Sequence, residues 1–80
     1  MREERQGTLS HHGLVETPDG FALTLAGFQK ASQRALDLRR QGDQEAIRML
    51  ALPSDDPLRW EYCRCLQIDS FTAEAHQAGI

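Results

Sequence analysis

The 80-residue sequence predicts an α+β fold that is mostly α-helical, with an N-terminal β-hairpin followed by three or four short helices. Two observations predict it. Apolar residues alternate on one side of a Pro-Asp-Gly turn, and from residue 25 onward the apolar spacing changes to three and four. We expect one small domain over residues 1–80, with residues 1–10 frayed because this polar stretch offers little to bury.

The predicted hairpin pairs residues 13–16 with residues 21–24. Residues 17–20 read Thr-Pro-Asp-Gly, in which proline presets its own φ, aspartate bonds its own backbone and glycine accepts a positive φ. Phe21 and Leu23 lie two residues apart and therefore share one face of the second strand. Because a lone hairpin is unstable in water, we expect that face to lie against helices.

The first predicted helix begins after Thr24, a suitable N-cap, and stops at Gly42, the expected residue after a helix C-terminus. Arg39 and Arg40 occupy its last turn, where they favour the helix dipole. One amphipathic stripe predicts the buried side of this helix: Leu25, Phe28, Ala31, Ala35 and Leu38.

A second, shorter helix is predicted between the N-cap Asp43 and Pro53, with Ala46, Ile47 and Leu50 as its apolar side. Asp55 and Asp56 precede Pro57 and are interpreted as caps of a third helix over residues 57–67. Its predicted core stripe is Leu58, Tyr62, Cys65 and Leu66. A last short helix is expected to start at Asp69 and Ser70, with Phe71, Ala75 and Ala78 on its apolar face.

The composition restricts the classes of function. Nine Lys and Arg residues are interleaved with twelve Asp and Glu residues, giving a formal charge of −3, which disfavours generic nucleic-acid binding. The longest purely apolar run, residues 49–52, is far shorter than a membrane span, so no membrane partner is expected. No apolar signal segment follows the start, so we expect a cytoplasmic protein with reduced thiols.

Candidate catalytic and metal-binding residues each have a simpler interpretation. Cys63 and Cys65 are two positions apart and would point about 200° away from each other on a helix, so they cannot chelate one metal ion. His11 and His12, adjacent in a segment expected to be extended, would face opposite ways. No nucleotide-binding glycine motif occurs. We therefore expect no cofactor, no metal and no enzymatic activity.

Trp60 is the strongest candidate for contact with another chain. It lies away from the predicted stripe of the third helix and is surrounded by Arg59, Glu61 and Arg64. It either packs under the hairpin or the last helix, or it anchors a partner. Because Trp and Arg dominate binding hot spots, the predicted partner-binding residues are Trp60, Arg64 and Arg59.

Residues 13–28 resemble the wing of winged-helix DNA-binding domains. Two motifs are the basis of this resemblance, Gly-Leu-Val-Glu at 13–16 and Phe-x-Leu-Thr-x-x-Gly at 21–27. The resemblance implies a small DNA-associated transcriptional regulator. In that family the helix that reads the groove precedes the wing, whereas here only twelve residues, mostly polar, precede it.

A second resemblance, to the helical hairpins of tetratricopeptide repeats, covers residues 35–47 and 66–76. The motifs are Ala-x-x-Leu-x-x-x-Gly-Asp-x-Glu-Ala-Ile and Leu-Gln-Ile-Asp with Ala-Glu-Ala-His. Such repeats bind protein segments. Ser70 stands where that family usually has proline, and no second full repeat follows.

The predicted function is a non-enzymatic protein–protein interaction module, an adapter or inhibitor that binds a larger protein or a second copy of itself. The small core, the open edges of a lone hairpin and the spare tryptophan favour it. The alternative is the small DNA-associated regulator that the wing likeness implies.

Overall fold

A computed structural model describes residues 8–77 of the chain. After a helical turn over residues 8–11, the elements are β1 (Leu14–Thr17), β2 (Gly20–Leu23), α1 (Leu25–Arg40), α2 (Gln44–Leu50) and α3 (Pro57–Gln77). The predicted α+β class, mostly helical with an N-terminal hairpin, is confirmed. The expectations for residues 1–7 and for Ala78 lie outside the described residues.

β1 and β2 form an antiparallel hairpin in which Leu14 pairs with Leu23 and Thr17 pairs with Gly20. Each strand is therefore shifted by one residue from the predicted bounds, because the turn itself consists of two residues, Pro18 and Asp19. Gly20 has a φ of 138°, as expected. The face that carries Leu23 turns inward, where this side chain packs against the core cluster.

The hairpin joins α1 through an unusually close backbone contact between Gly13 and Gly27. A Cβ atom added to Gly27 would lie 2.2 Å from the Gly13 carbonyl oxygen, and Gly13 itself has a φ of +74°. The Thr24 hydroxyl donates a hydrogen bond to that carbonyl and accepts one from the Gly27 amide, both at 3.1 Å. Thr24 is thus the predicted N-cap and also the link that holds β1 against the start of α1.

The remaining local signals of α1 and α2 also function as predicted. Gly42 follows α1 with a φ of 87°, and the side chain of Asp43 accepts a hydrogen bond from the Ala46 amide at 2.9 Å. At the start of α3, the Asp56 carboxylate accepts a hydrogen bond from the Leu58 amide at 2.8 Å. Local capping chemistry therefore sets three of the helix boundaries.

α3 corrects the sequence prediction of two helices. It runs without interruption from Pro57 to Gln77, through the expected break at Asp69 and Ser70. Polar residues that favour caps are tolerated inside a helix when their side chains find other partners. Ser70 does so, because its hydroxyl accepts a hydrogen bond from the Arg34 guanidinium.

The core lies where α1, α2 and α3 meet. Its buried cluster is Ala31, Ala35, Ala46, Tyr62 and Cys63. Four residues predicted for apolar faces are instead exposed, namely Leu25, Ile47, Leu58 and Cys65. α3 is rotated relative to the predicted stripe, so that Cys63 and Gln67 face inward.

The helical turn over residues 8–11 corrects the expectation of a frayed start for residues 8–10. Leu9 is completely buried. Lys30 donates a hydrogen bond to the His11 carbonyl, and Gln67 donates one to the His12 carbonyl at 2.6 Å. The sequence shows a single leucine among polar residues. Its burial depends on contacts with α1 and α3, which lie far along the chain.

None of the helices within residues 8–77 combines the length and the hydropathy needed to cross a lipid bilayer.

Candidate functional site

Trp60 lies at the surface of α3, half-buried against α1. Its indole stacks on the Phe28 ring, with centroids 4.3 Å apart and ring planes inclined by 19°. The indole N–H donates a hydrogen bond to the Ser54 carbonyl at 3.0 Å. One side of the ring is therefore covered by the protein's own fold, but by α1 and not by the hairpin or the last helix that the packing alternative named.

Arg59, the neighbouring predicted site residue, contacts the Phe28 ring of this aromatic pair. Its guanidinium carbon lies 5.7 Å from the Phe28 ring centroid, and one of its terminal nitrogens donates a hydrogen bond to the Leu52 carbonyl at 3.1 Å. Its Nε is buried without a hydrogen-bond partner among the described residues. Arg59 and Trp60 together hold the segment between α2 and α3 against the helices.

Arg64 points toward the hairpin. It makes a two-pronged ion pair with Glu61, at 2.9 and 2.5 Å, and donates a third hydrogen bond to the Phe21 carbonyl at 3.2 Å. These hydrogen bonds to Arg64 lower the pKa of the Glu61 carboxyl. Arg64 therefore attaches β2 to α3 and is half-buried there.

The three predicted partner-binding residues thus lie in adjacent turns of α3, but their side chains contact two different parts of the fold. Arg59 and Trp60 face α1 and the preceding loop, and Arg64 faces β2. Sequence reasoning missed Phe28 as the stacking partner of Trp60. Its spacing identified it as an apolar residue of α1, but the meeting of the two rings depends on how α1 and α3 cross.

The two cysteines have different surroundings. Cys63 is buried in the core cluster, and its burial raises the pKa of the thiol, opposed by the neighbouring Ser32 hydroxyl and the Arg59 charge. Cys65 is exposed beside Glu61, and both thiols are free. Within residues 8–77, no group of three or more His, Cys, Asp or Glu side chains is arranged to hold a metal ion.

A second polar cluster links the start of the described chain to the last turns of α3. His12 lies in a turn, not in the expected extended segment, and its imidazole makes a hydrogen bond with the Glu74 carboxylate. The imidazole also packs edge-on against Phe71, at 6.1 Å between centroids. No local sequence signal predicts a contact between residues 62 positions apart.

Comparisons with known proteins found no matching family model, no matching curated protein and no matching solved structure for this chain.

Proposed function

We propose that the protein is a non-enzymatic protein-binding module, an adapter or inhibitor that docks on a larger protein in the cytoplasm. Trp60, Arg59 and Arg64 are the proposed contact residues. The observation that carries the proposal is the half-buried Trp60, which is backed by Phe28 and braced by its bond to Ser54. A tryptophan held in one orientation loses little freedom when a partner covers its remaining surface.

The energetics favour such a role for this residue. A tryptophan carries about 150–250 Å² of surface that can be buried, at about 25 cal/mol per Å². Phe28 covers only part of it, so a partner that covers the rest gains binding energy. Arg64 has a partly exposed side chain beside the hairpin and can exchange Glu61 for a carboxylate of the partner.

The experiment uses two conservative variants, and circular dichroism checks that each retains the fold. Trp60→Phe keeps an aromatic ring on Phe28 but removes the larger indole and its N–H. Arg64→Gln removes the charge, and Arg34→Gln, on the exposed side of α1, is the matched control. Immobilised protein captures partners from native lysate, and quantitative mass spectrometry compares their recovery. Sedimentation velocity measures self-association in parallel.

We expect Trp60→Phe and Arg64→Gln each to weaken the recovered interaction by about tenfold, as hot-spot residues do. Arg34→Gln should behave like the wild type. Equal recovery by all three variants, with circular dichroism unchanged, would place the binding site elsewhere.

The alternative function, a DNA-associated regulator, finds less support in the hairpin. The strands and turn carry two carboxylates, Glu16 and Asp19, and no Lys or Arg between residues 13 and 28. A wing that contacts phosphates needs cationic side chains. DNA retention that falls steeply with salt would favour this alternative over protein binding.

A further inference from the structure

The first described turn of the chain lies across two helices. Lys30 of α1 donates a hydrogen bond to the His11 carbonyl, and Gln67 of α3 donates one to the His12 carbonyl at 2.6 Å. We call residues 8–12 the strap. These two hydrogen bonds place the strap over the line along which α1 and α3 meet.

One apolar side chain anchors the strap. Leu9 is completely buried, yet it is not part of the buried cluster in which α1, α2 and α3 meet. Burying a leucine stabilises a fold more than a typical hydrogen bond does. Leu9 therefore contributes most of the free energy that keeps the strap closed, and this contribution is separate from the one that holds the three helices together.

The polar contacts of the strap lie mainly at the surface. The His12 imidazole makes a hydrogen bond with the Glu74 carboxylate, whose side chain is 51% exposed. The contact of Lys30 with the His11 carbonyl is also exposed. Exposed contacts between charged groups contribute little to stability, because water competes for both partners. They determine where the strap closes but hold it weakly.

Gln67 is the buried exception among these contacts. Its side chain is 4% exposed, and the strap carbonyl of His12 accepts its hydrogen bond. A buried amide that loses its partner is costly. Here the partner belongs to the strap itself, so opening the strap brings water to the carboxamide and leaves no polar group without a partner.

Gly13 marks the boundary between the strap and the rest of the fold. Its amide donates a hydrogen bond to the Ser10 carbonyl inside the strap at 2.9 Å, whereas its carbonyl accepts hydrogen bonds from the amide and the hydroxyl of Thr24. The N–Cα bond of Gly13 therefore separates a strap side from a hairpin side. Its φ is +74°, and glycine can rotate about this bond more freely than any other residue.

We propose that the strap opens as a unit about Gly13 while the hairpin and the three helices remain folded. The rotation takes place about the N–Cα bond of Gly13, and the carbonyl on its far side stays attached to Thr24. Opening releases Leu9 from its buried site and exposes the Gln67 carboxamide of α3. This conformational device involves none of the proposed binding residues.

Amide hydrogen exchange of the full chain, followed by NMR, tests the movement because it detects local opening. The amides of His12 and Gly13, which donate hydrogen bonds inside the strap, report on the strap. The Thr24 amide, bonded to the Gly13 carbonyl, reports on the hairpin side of the boundary. The Ala35 amide, in the middle of α1, reports on the helix cluster.

Mild urea separates the two kinds of opening in the wild-type protein. Urea accelerates exchange in proportion to the surface that an opening exposes. We therefore expect faster exchange of the Ala35 amide and nearly constant exchange of the His12 and Gly13 amides. The Thr24 amide should follow Ala35, although it is bonded to residue 13.

Two variants separate them again without urea. Leu9→Ala should accelerate exchange of the strap amides by at least about thirtyfold, the equivalent of the usual cost of truncating a buried leucine. Ala46→Gly weakens the helix cluster, so it should accelerate exchange of the Ala35 amide by about tenfold. The strap amides of Ala46→Gly should exchange as in the wild type.

A matched pair of surface variants tests the polar contact. Glu74→Gln removes the charge that faces His12 and should accelerate exchange of the strap amides by about two- to fivefold. Glu45→Gln removes an exposed carboxylate of α2 and should leave them unchanged.

Equal acceleration of the strap amides and the Ala35 amide, by urea or by Ala46→Gly, would overturn the inference, because the strap would then open only when the whole molecule unfolds. Exchange of the Thr24 amide together with the strap would also overturn it, since the boundary would not lie at Gly13. Strap amides that are unprotected in the wild type, or unaffected by Leu9→Ala, would show that Leu9 does not hold the strap closed and would reject the inference too.

Discussion

At Gly27 the usual preference for alanine over glycine inside a helix is reversed. Alanine is normally favoured over glycine inside a helix by about 1 kcal/mol. Here an added methyl would lie 2.2 Å from the Gly13 oxygen and 2.7 Å from a Leu23 methyl. The oxygen is backbone that is already fixed by two hydrogen bonds from Thr24, so it cannot move away easily.

We predict that Gly27→Ala lowers the free energy of unfolding by at least about 2 kcal/mol, because overpacking outweighs helix propensity. Urea denaturation followed by circular dichroism measures it. Ala26→Gly is the control: Ala26 is exposed in the same helical turn, and the change should cost only about 1 kcal/mol. A stabilised Gly27→Ala variant would show that the two backbones are not in contact.

Trp60→Ala should destabilise the protein as well as any complex. The substitution removes the stack on Phe28 and the hydrogen bond to Ser54. We expect a loss of about 2–3 kcal/mol, below the usual cost for a fully buried aromatic residue. Thermal unfolding should show it, and Trp60→Phe should retain most of the stability. A Trp60→Ala variant as stable as the wild type would contradict the packing role.

The sequence predicts the role of a residue correctly when the environment of that residue involves only its neighbours in the chain. Thr24, Asp43 and Gly20 were assigned correctly because a cap or a turn involves only the next few residues. The exposure of Leu58 and the burial of Cys63 were not, since a small rotation of a helix exchanges neighbouring positions between core and surface. The sequence placed Trp60 off the core stripe but could not reveal the ring that covers it.

At the scale of elements, the continuity of α3 through Ser70 gives a direct test. Proline at this position would remove a backbone hydrogen bond inside the helix and clash with the preceding turn, at about 3 kcal/mol or more. Ser70→Pro should therefore lose helical circular dichroism and detach the last turns of α3 from the hairpin. Ser70→Ala loses only the contact with Arg34 and should remain close to the wild type.

Full helicity in Ser70→Pro would support the two separate helices that the sequence suggested. That suggestion arose because Asp69 and Ser70 commonly begin helices. The structure favours one helix because α3 has partners along its whole length. Arg64 holds the hairpin near its middle, and Phe71 meets Phe21 and His12 near its end. Such tertiary contacts override a local capping signal.

At the scale of the whole molecule, the burial of a thiol and a phenol should make the free energy of unfolding fall at alkaline pH. Burial raises the pKa of the Cys63 thiol from 9.0 and that of the Tyr62 phenol from 10.0. Above these ordinary values the unfolded chain releases protons that the folded chain retains, so the free energy of unfolding falls as pH rises. The contribution is complete below about pH 8.5 and is lost progressively from pH 9 upward.

We predict that urea denaturation at pH 7.5 and at pH 10 shows a smaller loss of stability for Cys63→Ala than for the wild type. Part of the loss remains, because Tyr62 still ionises. Cys65→Ala is the comparison: desolvation and the Glu61 carboxylate also raise the pKa of this exposed thiol, so its removal should reduce the loss in the same direction. An identical loss in all three proteins would exclude Cys63 as a source of the alkaline instability.

No pattern in the sequence predicts that the N-terminal turn attaches to α3. Leu9 lies among polar residues and shows no periodicity, yet it is completely buried. We predict that Leu9→Ala costs about 2–5 kcal/mol, as for other fully buried leucines. Urea denaturation measures this cost, and a change below about 0.5 kcal/mol, typical of surface positions, would contradict the burial.

The contact of Arg64 with the Phe21 carbonyl spans 43 residues and has a consequence for how the chain is made. During synthesis the hairpin emerges first, and a lone hairpin is not stable in water. At about 5–20 residues per second, the arginine that secures it is added roughly 2–9 seconds later. For that interval Phe21 has no α3 to cover it, so the nascent chain presents this apolar side chain to the ribosome surface and to chaperones before the fold is complete.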